Sequence, residues 1–189
     1  MQHPTQDIEP ISPRRLESED RLEIRPIRRA DRAAIVEIDA IHSGAAKPAF
    51  WWATIERALR GSAGAPAAPE RARATSAESD RREDSGSAGG TVGFVAVAGG
   101  AVVGYVFAEA RAWEFGSPLC GWITAIGVRP ERSRRGTAFA LGGEVCAWLK
   151  ARGIGSLRTM VRRDAVEVLA FFRAAGFRAG PYLELELDL

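Results

Sequence analysis

Three apolar runs rich in β-forming residues follow one another between positions 93 and 128, and they constrain the fold more than any other part of the sequence. The first two runs are joined by Gly99-Gly100, and a two-residue Gly-Gly turn is typical of a tight β-hairpin. Gly116-Ser117-Pro118 turns the chain again before the third run, Cys120 to Val128, which Pro130 ends. The sequence therefore predicts an antiparallel sheet of three consecutive strands at its centre.

Segments with strand or helix periodicity lie on both sides of these runs. The predicted elements before them are a strand over Arg21 to Ile27, a helix with Asp31 at its N-cap, and a helix over Ala49 to Arg60. Those after them are a helix over Gly136 to Arg152, a strand over Ile154 to Val161, a helix over Asp164 to Ala175, and an alternating strand over Tyr182 to Leu189. The order βααβββαβαβ predicts a mixed α/β domain.

Two stretches are too polar to join a packed core. Gly61 to Gly90 contains no Val, Ile, Leu, Met, Phe, Trp, Tyr or Cys, so it cannot offset an ordering entropy on the order of 1–2 kcal/mol per residue. Prolines and charges cluster in residues 1–20. We expect a flexible tail over 1–20 and a single domain over 21–189 with a disordered insertion at 61–90.

Charge and composition exclude several classes of protein. The 26 basic and 24 acidic residues leave a net charge of +2, too balanced for a protein whose main partner is a nucleic acid. No window approaches the roughly 18 apolar residues of a spanning helix, and the first thirty residues lack the apolar run of a signal peptide, so we expect a cytoplasmic protein with no membrane partner. Cys120 and Cys146 lack the paired spacing of a zinc site, so we expect reduced thiols and no metal.

The most informative stretch is IGVRPERSRRGTA, from Ile126 to Ala138. A strand ends at Pro130, a loop with four arginines follows, and the small residues Gly136 and Ala138 open the next helix. A helix N-terminus carries roughly half a positive charge, and small residues let its N–H groups approach a ligand. The stretch therefore predicts a site for an anion such as a pyrophosphate. The alternative is a solvated, charged loop in which the glycine only makes a turn.

This stretch resembles the acyl-CoA-binding motif of the GNAT N-acetyltransferase superfamily, Q/R-x-x-G-x-G/A after a strand that ends in V-x-P. The matching residues are Val128-x-Pro130 and RRGTA at 134–138. The similarity extends to LEIRPIRRADRAAIVEID at the first strand and helix, to Gly104-Tyr105, and to AFFRAAGF, which ends in Gly176-Phe177. The resemblance implies a GNAT-like fold whose central, mostly antiparallel sheet is splayed between strands four and five.

The resemblance also implies that acetyl-CoA is the co-substrate and that an amine attacks its thioester directly. The pantetheine arm would pair with the backbone of Ile126, Gly127 and Val128 in the gap between strands, and the Val128 N–H would polarise the thioester carbonyl. The pyrophosphate would bind the turn that begins the next helix, whose residues are Arg134, Arg135, Gly136, Thr137, Ala138 and Phe139.

Three residues depart from the family pattern. Ser133 stands where the motif opens with Gln or Arg. Phe172 stands where many members have the Tyr that protonates the thiolate, and Met160 where ribosomal-protein alanine acetyltransferases have a Glu. The two last departures make an N-terminal protein acetyltransferase a less favoured interpretation than an enzyme acting on small molecules.

A base is needed, because a primary ammonium with a pKa of roughly 10.4 has to lose a proton before it attacks. Glu109, which shares a strand face with aromatic residues, is the first candidate, and Glu114 is the second. For each, the alternative is a surface ion pair. His42, at the end of the first helix, is either a group on the acceptor side or a structural residue, and Cys120 is an alternative nucleophile.

Aromatic residues suggest the nature of the acceptor. The segments that would border it carry tryptophans, which either bind a cationic amine by cation–π contact or pack in the core: Trp51, Trp52, Trp113 and Trp122. The predicted function is acetyl transfer to a primary amine of a small molecule. The alternatives are a protein N-terminal or lysine acetyltransferase and a non-catalytic acyl-CoA-binding sensor. The last strand either completes the sheet or offers an edge to a second subunit in a homodimer.

Overall fold

The computed structural model describes residues 21–63, 90–112 and 116–187, with the backbone alone at 62 and 63. The strands and helices of these residues are β1 Glu23–Pro26, α1 Arg32–Ser43, α2 Pro48–Ala63, β2 Thr91–Ala98, β3 Ala101–Arg111, β4 Cys120–Val128, α3 Thr137–Lys150, β5 Leu157–Arg158 and α4 Val166–Ala174. Short 3-10 turns precede α1, at Arg29–Asp31, and follow β4, at Pro130–Arg132. The predicted tail and most of the predicted insertion lie outside the described residues.

The strands form one open sheet in the order β1-β2-β3-β4-β5. Neighbouring strands are antiparallel except β4 and β5, which are parallel. The predicted hairpin is confirmed, since β2 and β3 meet at Gly99-Gly100 and pair from Thr91↔Glu109 to Ala98↔Ala101. The α/β class and the mixed sheet expected from the resemblance are therefore present.

Helices cover both faces of the sheet, and each face has its own apolar core. On one face α1 and α2 pack on β2 and β3, with the side chains of Ile35, Ile38, Trp51, Tyr105 and Phe107 buried together. On the other face α3 and α4 pack on β2, β3 and β4 through Leu141, Val145, Leu149 and Phe172. Because both faces bury apolar side chains, the central strands have near-continuous apolar sequences.

Asp31 is the N-cap residue of α1, as predicted, but its side chain has a different partner. Asp31 precedes the helix, but its side chain caps no N–H group of α1. The carboxylate instead accepts hydrogen bonds from the Arg28 N–H at 2.7 Å and from both terminal nitrogens of Arg25, at 2.7 and 2.8 Å. The residue therefore closes the 3-10 turn and anchors it to β1.

The carboxyl-terminal strands also differ from the prediction. β5 has two residues in place of the eight expected, and residues 182–187 form no strand. An alternating sequence becomes a strand only where a neighbouring edge offers a ladder of backbone partners, and a two-residue β5 offers almost none. Leu183, Leu185 and Leu187 consequently remain 73%, 86% and 81% exposed.

The end of α2 also differs from the prediction. α2 continues through Gly61 to Ala63, so the first three residues of the predicted insertion are helical, because the end of this helix packs on β2. Among the described residues, no helix combines the length and the apolar character needed to cross a bilayer.

Candidate active site

The edge of β4 that faces β5 is open over half its length. β4 pairs with β3 from Cys120 to Val128, but within the described chain its ladder with β5 consists of Gly121↔Leu157 and Trp122↔Arg158. The register with β3 shifts at a bulge, with Phe107 opposite Ala125 and Ala108 opposite Ile123. Beyond the bulge β4 and β5 diverge and leave a gap, and a bulge of this kind bends the strand that carries it.

The backbone groups of Ile126 and Val128 point into this gap. The Arg129 N–H donates to the Val103 carbonyl oxygen on β3 at 2.8 Å. Residues two apart in a strand direct their backbone groups to the same side, so Gly127 also bonds toward β3. Ile126 and Val128 alternate with these residues and face the other side. The gap is therefore lined by backbone groups of two of the three predicted pantetheine-binding residues, and of these groups the Val128 carbonyl oxygen contacts His42 Nε2.

Gly127 has a different role from its neighbours. A β-carbon at Gly127 would lie 2.7 Å from the ring of Tyr105, which is only 3% exposed. The absence of a side chain lets this ring pack against β4 at Gly127. Burial, with the nearby charge of Asp39, raises the pKa of the Tyr105 phenol well above its ordinary value, so the hydroxyl stays protonated.

The turn after β4 presents a helix N-terminus beside the gap. Arg134 and Gly136 both adopt positive φ, at 61° and 81°, and this geometry turns the chain into α3. The Ala140 N–H makes the first bond of the helix, to the Gly136 oxygen at 2.9 Å. The amides of Thr137, Ala138 and Phe139 therefore have no acceptor within the helix, which is the arrangement that binds anions.

Arginines surround the same helix end. A cavity of about 310 Å³ is lined by Leu22, Arg132, Arg135 and Thr137. Arg134 reaches toward Glu167 on α4 at 3.7 Å, with both side chains about nine-tenths exposed. Positive side chains, free helix amides and an open cavity together fit the pyrophosphate of an acyl-CoA.

Glu109, the first predicted base, lies on β3 beside the start of β4 and forms ion pairs with two arginines. It stands opposite Trp122 in the sheet, and its carboxylate oxygens contact Arg57 at 3.3 Å and Arg111 at 2.9 Å. Two guanidinium groups hold this carboxylate. This arrangement is the ion pair that the sequence left open as the alternative to a catalytic base. Glu114, the second predicted base, and Trp113 lie outside the described residues.

A cluster of polar groups that we call the α1 cluster lies at the Val128 end of β4. Its members are Asp39, His42, Ser43 and Lys47, at the end of α1 and in the turn that follows. Lys47 Nζ lies 3.0 Å from an Asp39 carboxylate oxygen. The sequence does not indicate this pair, because its spacing depends on the left-handed Gly44 that ends α1.

Asp39 is an anion in this cluster. Burial alone would raise its pKa, but the Trp51 indole N–H, the Lys47 ammonium and the Ser43 hydroxyl outweigh burial and hold the pKa below its ordinary value. The indole N–H faces the carboxylate without the geometry of a full hydrogen bond. The structure therefore shows that a primary ammonium fits against this carboxylate.

His42 connects the α1 cluster to β4. Its Nε2 atom lies 2.8 Å from the Val128 carbonyl oxygen, and the side chain is exposed. Nearby, Arg129 forms a two-point ion pair with Glu37 of α1, at 2.8 and 2.9 Å. These contacts fix the end of α1 against the end of β4.

Other residues singled out from the sequence lie in the core or on the surface. Phe172, 5% exposed, packs edge-on against Phe171 and Phe177, so its ring is a core element. Met160 is 61% exposed. Cys120 is 1% exposed, which argues against a role as nucleophile.

The described tryptophans have separate environments. Trp51 is 2% exposed and belongs to the core between α2 and β3. Arginine side chains lie over the other three described rings, Arg32 at 4.3 Å from the centre of Trp52, Arg111 at 5.6 Å from that of Trp122 and Arg152 at 4.1 Å from that of Trp148. These contacts are internal cation–π pairs.

Comparisons with known proteins agree on the architecture. The model of the acetyltransferase (GNAT) family matches residues 52–177. No curated protein matches the sequence. Among solved structures, the chain is similar to AAC(6')-Iy bound to the bisubstrate analogue CoA-S-monomethyl-acetylneamine, with 16% identity, a TM-score of 0.66, and coverage of 90% of this chain and 99% of that one.

Two further structures show the same likeness. The aminoglycoside 6'-N-acetyltransferase AAC(6')-Ih from Acinetobacter baumannii has 14% identity and a TM-score of 0.62, with 89% of this chain and 99% of that one covered. The ribosomal-protein-alanine N-acetyltransferase from Brucella melitensis biovar Abortus 2308 has 16% identity and a TM-score of 0.59, with the same coverage. At these identities the likeness concerns the fold.

Proposed function

Because the chain belongs to the acetyltransferase (GNAT) family, we propose that it transfers an acetyl group from acetyl-CoA to a primary amine of a small molecule. The observation that carries this proposal is the open edge of β4, which ends beside the N-terminus of α3. An extended ligand with amides along its length and a pyrophosphate at one end matches that combination. Acetyl-CoA has this chemistry.

The ligand would occupy the gap in two parts. Ile126 would pair with the pantetheine amides, and the Val128 N–H would polarise the thioester carbonyl. Gly127 would support this edge through its contact with Tyr105. Arg134 and Gly136 shape the turn, Arg135 supplies charge, and the amides of Thr137, Ala138 and Phe139 would bind the pyrophosphate.

The acceptor would approach from the side of the α1 cluster. The Asp39 carboxylate already holds the Lys47 ammonium, and an acceptor of the same chemistry could replace it. AAC(6')-Iy and AAC(6')-Ih, which share the fold, act on aminoglycosides, and these carry several amines. Small molecules with more than one amine are therefore the first acceptors to test.

The reaction needs a proton acceptor near the attacking nitrogen. At pH 7 only about 1 in 2,500 primary amines with a pKa of roughly 10.4 is unprotonated, a cost of about 4.6 kcal/mol. The sequence predicts Glu109 or Glu114 as this base, although Arg57 and Arg111 already hold the Glu109 carboxylate. If substitution of each by Gln leaves turnover and its pH profile unchanged, this assignment is wrong.

The test measures acetyl-CoA binding and turnover separately. Calorimetry should show acetyl-CoA binding, and the absence of heat at millimolar ligand would overturn the proposal. CoA release is then followed with small amines, aminoglycosides, peptides with free N-termini and lysine peptides. Turnover on small amines supports the proposal, whereas turnover on peptides alone assigns a protein acetyltransferase. Binding without any turnover assigns an acyl-CoA sensor.

A further inference from the structure

The contact between His42 and Val128 fixes where the proton of the imidazole lies. Nε2 is 2.8 Å from the Val128 carbonyl oxygen, and a carbonyl oxygen can only accept a hydrogen bond. Nε2 therefore carries a proton. In the neutral ring the other nitrogen, Nδ1, then has none and presents a lone pair. The side chain is exposed, so a ligand can reach this lone pair.

The carbonyl that holds His42 belongs to the gap. The N–H and C=O of one strand residue point to the same side, and those of Val128 point away from β3. Under the proposed function, on which this inference rests, the thioester lies along the same edge. The imidazole is thus beside the position of the acyl group.

We propose that His42 is the catalytic base of the acetyl transfer. As the amine nitrogen bonds to the acetyl carbon, Nδ1 accepts a proton from that nitrogen, and the ring becomes an imidazolium. The bond from the acetyl carbon to sulfur then breaks, and its electron pair leaves with CoA as the thiolate. The imidazolium returns its proton to the thiolate, so that amide and CoA thiol are the products and the neutral ring is restored.

The surroundings of His42 favour this use. It lies in the last turn of α1, where the helix dipole stabilises a positive charge. The anionic Asp39 is three residues earlier, which places the two side chains on one face of the helix about 5–6 Å apart at Cβ. Both features place partial or full negative charge on the side of the ring where the step forms a positive charge.

Other charged groups near His42 are already paired with each other. The groups on the elements that meet there are Asp39 with Lys47 and Ser43, Glu37 with Arg129, and the protonated Tyr105 phenol. Neither ion pair includes the imidazole. Glu109 differs, because it would have to leave two guanidinium groups before it could take a proton.

Two substitutions separate a base from a structural residue. Gln at position 42 can still donate an N–H to the Val128 oxygen but has no basic nitrogen, so His42→Gln should keep acetyl-CoA affinity within about threefold and lower kcat by roughly 100-fold or more. The ascending limb of the pH profile of kcat/KM should be lost. His42→Ala should regain turnover when imidazole is added. Lys150→Gln, in the last turn of α3 and about 20 Å along that helix from the gap, is the matched control.

A measurement without an acceptor tests the same assignment. Nitrogen-15 NMR of labelled histidine should show His42 protonated at Nε2 and bare at Nδ1 in the folded enzyme. Protonation at Nδ1 in the neutral ring overturns the proposal, as does a His42→Gln enzyme that folds and keeps kcat and its pH profile. If no amine in the panel is acetylated although acetyl-CoA binds, the proposed function fails instead, and the base assignment with it.

Discussion

At the scale of single residues, Asp31 shows how a short polar contact can hold two elements together. The carboxylate is 5% exposed and is bonded by Arg25 and by the Arg28 N–H. We expect Asp31→Asn to lower the free energy of unfolding by about 2 kcal/mol, because the half-buried Arg25 guanidinium loses its charged partner. Urea unfolding measures the change. Asp164→Asn, which loses a similar contact to Arg162 at an exposed site, should leave stability unchanged.

The contribution of Asp31 depends on pH with a defined sign. Burial alone would raise its pKa, but bonds from Arg25 and Arg28 outweigh burial, so the pKa lies below its ordinary value in the folded chain. A carboxyl with a lowered folded pKa stabilises the fold above its unfolded pKa of about 3.9 and loses that contribution as pH falls through the folded value. The difference between wild type and Asp31→Asn should therefore shrink below about pH 4. A constant difference down to pH 2 would contradict this account.

Gly127 connects a packing contact to ligand binding. In Gly127→Ala, the new methyl group would collide with the buried Tyr105 ring, so we expect a loss of about 1–3 kcal/mol in stability. Acetyl-CoA should also bind more weakly in calorimetry, since the β4 edge has to shift. Gly143→Ala, at an open position of α3, should gain up to about 1 kcal/mol and bind normally. Equal stability of the two variants would show that the Tyr105 ring can move to accept a methyl group at position 127.

At the scale of elements, the N-terminus of α3 should behave as an anion site. Arg135 lines the cavity there, and Arg135→Gln should raise the acetyl-CoA Kd by about tenfold and make binding less sensitive to salt. Arg60→Gln, which makes the same change of charge on α2, is the control. Calorimetry at two salt concentrations distinguishes them. Similar losses in both variants would mean that only overall charge matters.

Elements were predictable where local sequence decides them. The runs that became β2, β3 and β4 are long, apolar and bounded by turn residues, and their positions agree with the structure to within a few residues. β5 and the segment at 182–187 depend on a partner edge that no local pattern encodes. Asp31 stands at the predicted N-cap, but its side chain does not cap α1 for a related reason, because an arginine six residues earlier binds its carboxylate.

The candidate site was predictable in its backbone and less so in its side chains. The motif from Val128 to Ala138 carries its own geometry, since proline, glycine and a helix start dictate the turn. The α1 cluster brings α1 against β4, with His42 86 residues from Val128 in sequence. No spacing rule detects such a contact, and the two ion partners of Glu109 were equally hidden.

At the scale of the whole molecule, the carboxyl-terminal segment is the main apolar surface that the described chain leaves uncovered. Leu183, Leu185 and Leu187 are each more than 70% exposed and alternate with acidic residues. Such a stretch is a ready partner for a strand of another chain, and we expect a homodimer in solution. Replacement of the three leucines by Ser should shift the mass measured by light scattering from dimer to monomer without lowering the Tm of the monomer. A wild-type monomer at high concentration would reject this expectation.

The open edge of β4 should determine how fast individual amide hydrogens of this strand exchange with solvent. Amide hydrogens at Ile126 and Val128 have no strand to protect them, so they should exchange with solvent deuterium quickly although their neighbour Gly127 is held by β3. A bound pantetheine arm would act as a missing strand and slow them. Exchange mass spectrometry or NMR with and without acetyl-CoA would show protection that alternates residue by residue along β4. The co-substrate would then be part of the sheet, and this part of the fold would be complete only while it is bound.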